Sequence, residues 1–92
     1  MTFCLERTKN FKRNFKKLRL SDKEETAYIE VVYHLLSNKK LPSKYKDHQL
    51  SGSLSRLREC HIKPDLLLIY MIRDDNCIVL VDIGSHSELF KG

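Results

Sequence analysis

Ninety-two residues with 41% apolar side chains, 3 Gly and 2 Pro are expected to make one globular domain spanning 1–92, with one core and no room for a large cofactor cavity. No run approaches the roughly 20 apolar residues of a membrane span, and MTFCLERTKN lacks the apolar heart of a signal peptide, so no membrane residence is expected and the expected compartment is the cytoplasm. The formal charge of +5 is unevenly placed: residues 1–20 hold seven basic side chains and one acid, whereas 21–92 hold ten against eleven, an N-terminal excess suited to a phosphate backbone, an acidic protein or an anionic surface.

TFCLE at 2–6 reads as a short strand, and Thr8 is placed to cap a helix over Lys9–Arg19. Phe11, Phe15 and Leu18 share one face of that helix while Lys12, Arg13, Lys16, Lys17 and Arg19 occupy the rest. Ser21 followed by Glu24 matches a capping box, predicting a second helix to Ser37 whose apolar positions Ala27, Tyr28, Val31, Val32, Leu35 and Leu36 pack it against the first as a helical hairpin. SNKKLPSKYKDHQLSGS reads as a polar connection. The period then changes: Leu57–Ile62 is a mixed strand, Leu66–Ile72 an apolar run suited to a strand buried on both faces, and Cys77–Ile83 a third, with Asp74, Asp75 and Asn76 turning between the last two. The expected class is α+β: an N-terminal strand and a helical hairpin on a mostly antiparallel sheet of about four strands. Cys4, Cys60 and Cys77, odd in number and without a CxxC pair, are expected to be reduced and buried.

Three of the four histidines stand at turns or strand ends: His48 in KYKDHQLSG, His61 in RECHIKPD and His86 in GSHSELF. Imidazole titrates near neutral pH, so such groups suit acid and base work without a metal. His34, inside the second helix, reads as structural. Three histidines with Asp65 have the donor types of a zinc site, but the spacing is scattered and no HxH or HExxH pair exists, so neither metal nor cofactor is expected. GSHSE is not a GxSxG elbow, and no Gly-rich phosphate loop is present.

The segments LPSKYKDHQLSGS, RECHIKPDLLLIY and GSHSELF, taken in order and spacing from Leu41 to Phe90, resemble the YafQ-type toxins of the RelE-like superfamily. The resemblance implies a RelE-like fold and the toxin half of a type II toxin–antitoxin pair. It also implies an endoribonuclease that cuts mRNA, typically on the ribosome, with antitoxin, mRNA and ribosome as partners. By position it marks His48, His61, Asp65 and His86 as catalytic: His86 as general acid, His48 or His61 as base, and Asp65 orienting an imidazole. Phe90 matches a C-terminal aromatic that stacks on a base or closes the site, and Lys44 and Lys46 are candidates for phosphate contacts.

Two positions depart from the family pattern. Leu66 stands where a tryptophan is frequent. Asp82 stands where an arginine is usual two residues before the final glycine, and that arginine would stabilise the charge growing on the phosphate. Strand alternation places Arg58, Cys60 and Ile62 on one face and Glu59, His61 and Lys63 on the other, which makes Lys63 the better substitute. The alternatives are a RelE-like protein that binds antitoxin, RNA or ribosome with little or no cutting, and a basic interaction module with structural histidines.

Overall fold

Thr8 closes the first strand and opens the first helix. In the structure, a computed structural model that describes residues 3–90, β1 covers Cys4–Arg7 and α1 covers Lys9–Lys17; Thr2 of the expected strand lies outside the described residues. The Thr8 hydroxyl accepts from the Phe11 amide and donates to the Val81 carbonyl at 2.6 Å, so one side chain caps α1 and ties it to the last strand. α1 ends two residues short of Arg19 because Leu18 takes extended backbone and packs against the core. α2 runs over Asp22–Leu36, with both hydrogen bonds of the Ser21/Glu24 capping box formed. Phe15 and Tyr28 join the two helices, their rings 5.1 Å apart.

β2 (His48–Gln49), β3 (Arg58–Lys63), β4 (Leu66–Ile72) and β5 (Cys77–Gly84) complete a five-stranded sheet in the order β1-β5-β4-β3-β2. β1 runs parallel to β5 and the remaining pairs are antiparallel. A single turn, α3, follows at His86–Leu89. The fifth strand is β2, which lies inside the expected polar connection. Buried Leu41 and Tyr45 anchor that segment, and 3-10 turns at Ser43–Tyr45 and Gly52–Leu54 flank β2.

Helices and sheet enclose a core that includes Phe11, Val31, Cys60, Leu68, Tyr70 and Leu80. β4 is the middle strand and is buried on both faces, with Leu67, Leu68 and Ile69 all at 5% exposure or less, as its unbroken apolar run predicts. Two bulges interrupt the ladders, one between His61 and Lys63 and one opposite Ile69–Tyr70. Among the described residues, no helix is long and apolar enough to cross a membrane.

The cysteines depart from expectation. Cys4 is exposed and faces Cys77 across the β1–β5 ladder, where the two form a disulfide; only Cys60 is a free, buried thiol. Their separation of 73 residues puts this pairing beyond any local spacing rule. The parallel register alone brings them together.

Candidate active site

The face of the sheet away from α1 and α2 carries two groups of polar side chains. In the first, His48 on edge strand β2 lies directly opposite Glu59 on β3, and His61 follows two residues later on the same face, as strand alternation requires. Glu59 is 6% exposed and is the one charged side chain that is buried among the described residues. His61 Nε2 donates to Glu59 Oε1 at 3.2 Å, and His48 Nε2 stands 3.5 Å from the same oxygen. His48 Nδ1 donates to the Lys46 carbonyl at 2.8 Å, which fixes the ring and leaves Nε2 as its exchangeable nitrogen. The two imidazole centroids are 6.3 Å apart. A buried carboxylate thus holds two histidines together, and Glu59 was not among the expected site residues. Its signal was the same alternation that places it two positions before His61.

The second group sits at the end of β5. Gly84, Leu67 and His61 share one row of the ladder, so Gly84 lies two strand spacings from His61, about 10 Å. Ser85 then caps α3 with Glu88 in a second capping box, and His86 is the first residue of that turn. A Cβ at Gly84 would come within 3.1 Å of Glu88 Oε1, so glycine allows the capping carboxylate to close over the strand end. Asp65, in the β3–β4 turn, accepts from the His86 main-chain amide at 3.4 Å. Its carboxylate therefore positions the backbone of His86, whereas the expectation was an imidazole contact. The Phe90 ring lies 5.0 Å from that of His86 and, with Leu54, Leu57 and Ile69, lines a small apolar cleft.

A network on the helix side steadies the first group. Asp47, immediately before His48, accepts from Tyr70 Oη at 2.6 Å and from Arg58 Nε and Nη2 at 3.3 and 3.2 Å. Burial, reinforced by the hydrogen bond to Asp47, pushes the Tyr70 hydroxyl well above its ordinary pKa, and the hydrogen bonds that Arg58 itself donates to Asp47 raise the guanidinium as well. Burial also pushes the Cys60 thiol up to about 12, which leaves it inert as a nucleophile.

Three other expected positions have partners of their own. The bulge at His61–Lys63 breaks the regular alternation, and the Lys63 ammonium turns to Glu24 on α2. The Lys44 ammonium stands 3.7 Å from Glu30 and 5.1 Å over the Tyr45 ring. Asp82 Oδ1 accepts from Asn14 Nδ2 of α1 at 2.7 Å and from the Ile83 amide at 2.8 Å, which draws its charge toward α1. His34 donates to the Glu30 carbonyl within its own helix and takes no part in either group. Among the described residues, no set of three or more His, Cys, Asp and Glu side chains is grouped to hold a metal ion.

A parallel first strand and two helices on one face of a mostly antiparallel five-stranded sheet match the RelE-like fold of bacterial toxins. Residues 4–91 match the family described as bacterial toxin of type II toxin-antitoxin system, YafQ. The chain belongs to that family. It is 42% identical to the mRNA interferase toxin YafQ of Escherichia coli over 50 residues, 54% of this chain and 53% of that protein. The chain spans about half the length of the curated relatives it matches. Among solved structures, a copper-bound mutant toxin from Helicobacter pylori is 40% identical with a TM-score of 0.87, covering 96% of this chain and 99% of that one. The E. coli DinJ–YafQ complex is 30% identical with a TM-score of 0.80, covering 94% and 96%.

Proposed function

We propose that this protein is an endoribonuclease that cuts mRNA on the ribosome by histidine acid–base chemistry, without a metal, and is neutralised by a protein antitoxin. The observation that carries the reading is the pair of proton-handling groups on one sheet face: His48 and His61 around buried Glu59, and His86 beside Asp65.

RNA cleavage needs a base for the attacking 2′-OH, an acid for the departing 5′-oxygen and positive charge for the phosphate. His48, with Nδ1 committed to the Lys46 carbonyl, takes the hydroxyl proton at Nε2, or His61 does so in its place. Glu59 then faces the imidazolium formed, and its position between the rings serves either assignment. His86, exposed on the opposite side of the face, delivers the proton to the leaving oxygen. Asp65 acts through the main chain by fixing the turn that carries His86. Phe90 stacks on a base or closes the site, and Lys44, Lys46 and Lys63 supply charge to the RNA backbone. The DinJ–YafQ complex supports an antitoxin partner, and the basic surface of α1 suits an acidic one. mRNA and ribosomes place the activity in the cytoplasm.

A second reading, a toxin that binds its partners and cuts weakly, is favoured by one observation: Asp82 occupies the position of the phosphate-stabilising arginine. The deciding experiment incubates the protein with translating ribosomes and maps mRNA ends, with His86→Ala as control, the protein having first been stripped of bound metal by dialysis against EDTA and returned to buffer that contains magnesium for the ribosome and a chelator selective for transition metals. Cuts that persist with the stripped protein and vanish in the variant support the nuclease. Binding to ribosomes without cuts supports the second reading, and cuts that are lost on stripping and return with an added transition metal refute the metal-free mechanism.

A further inference from the structure

β2 pairs with β3 only through His48–Glu59 and Gln49–Arg58, so the rest of β3 has no strand neighbour on that side. The Ser43–Tyr45 turn and Lys46 run along this open edge instead. Between them lies a cleft of about 400 Å³, within the size range of small-ligand sites. Its floor is apolar: Tyr45 and Ile62 are 3% and 5% exposed, and Ala27 of α2 and Pro64 line it with them. His61 lines it on the side of the candidate active site, and Lys44, Lys46 and Lys63 complete its wall. No carboxylate is among its lining residues.

Two of these ammonium groups have acidic neighbours outside the cleft. Lys44 pairs with Glu30, both open to water at 68% and 39% exposure, and such a pair is weak and exchanges readily for another anion; Lys63 is 51% exposed beside a Glu24 that is 16% exposed. Lys46 has no ionic partner among the described residues, and its left-handed backbone (φ 50°) sets it at the point where the turn bends toward His48. An apolar floor with ammonium groups around it and a histidine of the reaction centre beside it matches a nucleotide, whose base has an apolar face and whose phosphate is an anion.

We propose that this cleft is the subsite for RNA on the 5′ side of the cut, taking the base over Tyr45, Ile62 and Pro64 and its phosphate among Lys44, Lys46 and Lys63. The side follows from the mechanism above, on which this inference rests. His48 and His61 serve the 2′-OH, which belongs to the nucleotide 5′ of the scissile bond, and the cleft continues outward from His61. The leaving side is at His86, across the face. An acidic peptide would use the lysines but gain nothing specific from a flat apolar floor, so the chemistry favours RNA.

The test uses an uncleavable 2′-O-methyl trinucleotide as ligand. The expected result is saturable binding that shifts the methyl resonances of Ile62 and Ala27. The triple variant Lys44→Gln, Lys46→Gln, Lys63→Gln should bind at least tenfold more weakly. Its log K against log salt should flatten by about 0.7, as expected when one phosphate of a single strand is no longer neutralised. In cleavage assays Lys46→Gln should raise KM with little change in kcat, because it touches a part of the substrate remote from the bond that breaks. Lys39→Gln, an exposed lysine beyond the end of α2 that is not among the residues lining the cleft, should change none of these. Trinucleotide binding that leaves Ile62 and Ala27 unshifted, or that survives the triple variant, overturns the subsite. The same holds if the triple variant weakens only the binding of a Glu-rich peptide of matched charge. These results differ from failure of the nuclease reading, which would show as absence of His86-dependent cuts in the wild-type protein while lysine-dependent binding at the cleft persists.

Discussion

Replacing Asp47 by alanine removes the acceptor of three hydrogen bonds at once. Tyr70 is 1% exposed, so its hydroxyl loses its partner where water cannot easily replace it, a cost of about 1–3 kcal/mol. The Arg58 contact adds little, because that side chain is 36% exposed and such pairs contribute about 0–1 kcal/mol. The expected loss is therefore about 2–3 kcal/mol, or roughly 10–20 °C in Tm for a domain of this size. Tyr70→Phe removes only one donor, leaves the carboxylate held by Arg58, and should cost about 1–2 kcal/mol. The decisive quantity is their coupling. In the double variant no hydroxyl remains to be stranded, so its destabilisation should fall short of the sum of the two by about 1 kcal/mol or more. Urea denaturation of the four proteins, followed by circular dichroism, measures it. Strict additivity would refute the view that Tyr70 and Asp47 act as one coupled unit beside His48.

Three further outcomes follow from the same structure. Asp82 shares a ladder row with Ile69, Glu59 and His48, so Asp82→Arg should place a cation on the face of the candidate site and raise ribosome-dependent cleavage, by at most about 100-fold; an unchanged or lower rate in a folded variant would count against a phosphate site there. Without reductant, thiol titration should find no reactive cysteine in the native protein and one in denaturant, Cys60, rising to three after reduction; three thiols in unreduced denatured protein would exclude the Cys4–Cys77 bond. Folding lowers the pKa values of Glu6 and Asp75 through Arg73, Glu24 through Lys63 and Glu30 through Tyr45. Groups depressed in this way stabilise the fold above their unfolded values of about 4 and cease to as pH falls through the lowered ones. Stability should therefore decline from pH 5 to pH 3, and less steeply in Arg73→Gln; equal slopes would remove Arg73 as the cause.

The parts of this fold that could be read from sequence are those fixed by near neighbours. Thr8 and the Ser21/Glu24 pair bond to amides three residues away, and the limits of β4 follow from its own apolar run. The parts that could not are fixed across the fold. β2 is two residues long and exists because β3 lies beside it; the His61–Lys63 bulge arises from pairing with β4; and Cys4 meets Cys77 only through the parallel ladder. The candidate site divides the same way. His48, His61, Asp65 and His86 are recognisable by motif, and two of the histidines do meet around one oxygen. What the motif did not reveal is the group between them: Glu59 looks like an ordinary strand residue until β2 covers it. Nor does a motif tell a carboxylate that orients an imidazole from one that holds a main-chain amide, which is what Asp65 does.

The helix that carries His86 is four residues long, far below the length at which a helix persists unaided. Its shape is borrowed from the Ser85 cap, the contact to Asp65 and the end of β5. His86 thus rests on a single turn held at its ends, while His48 and His61 are seated on the sheet above buried Tyr70 and Cys60. On the proposed mechanism, that turn can open without the fold coming undone, so loss of cleavage on heating should precede loss of the sheet, and a partner need only lift one turn to silence the chemistry.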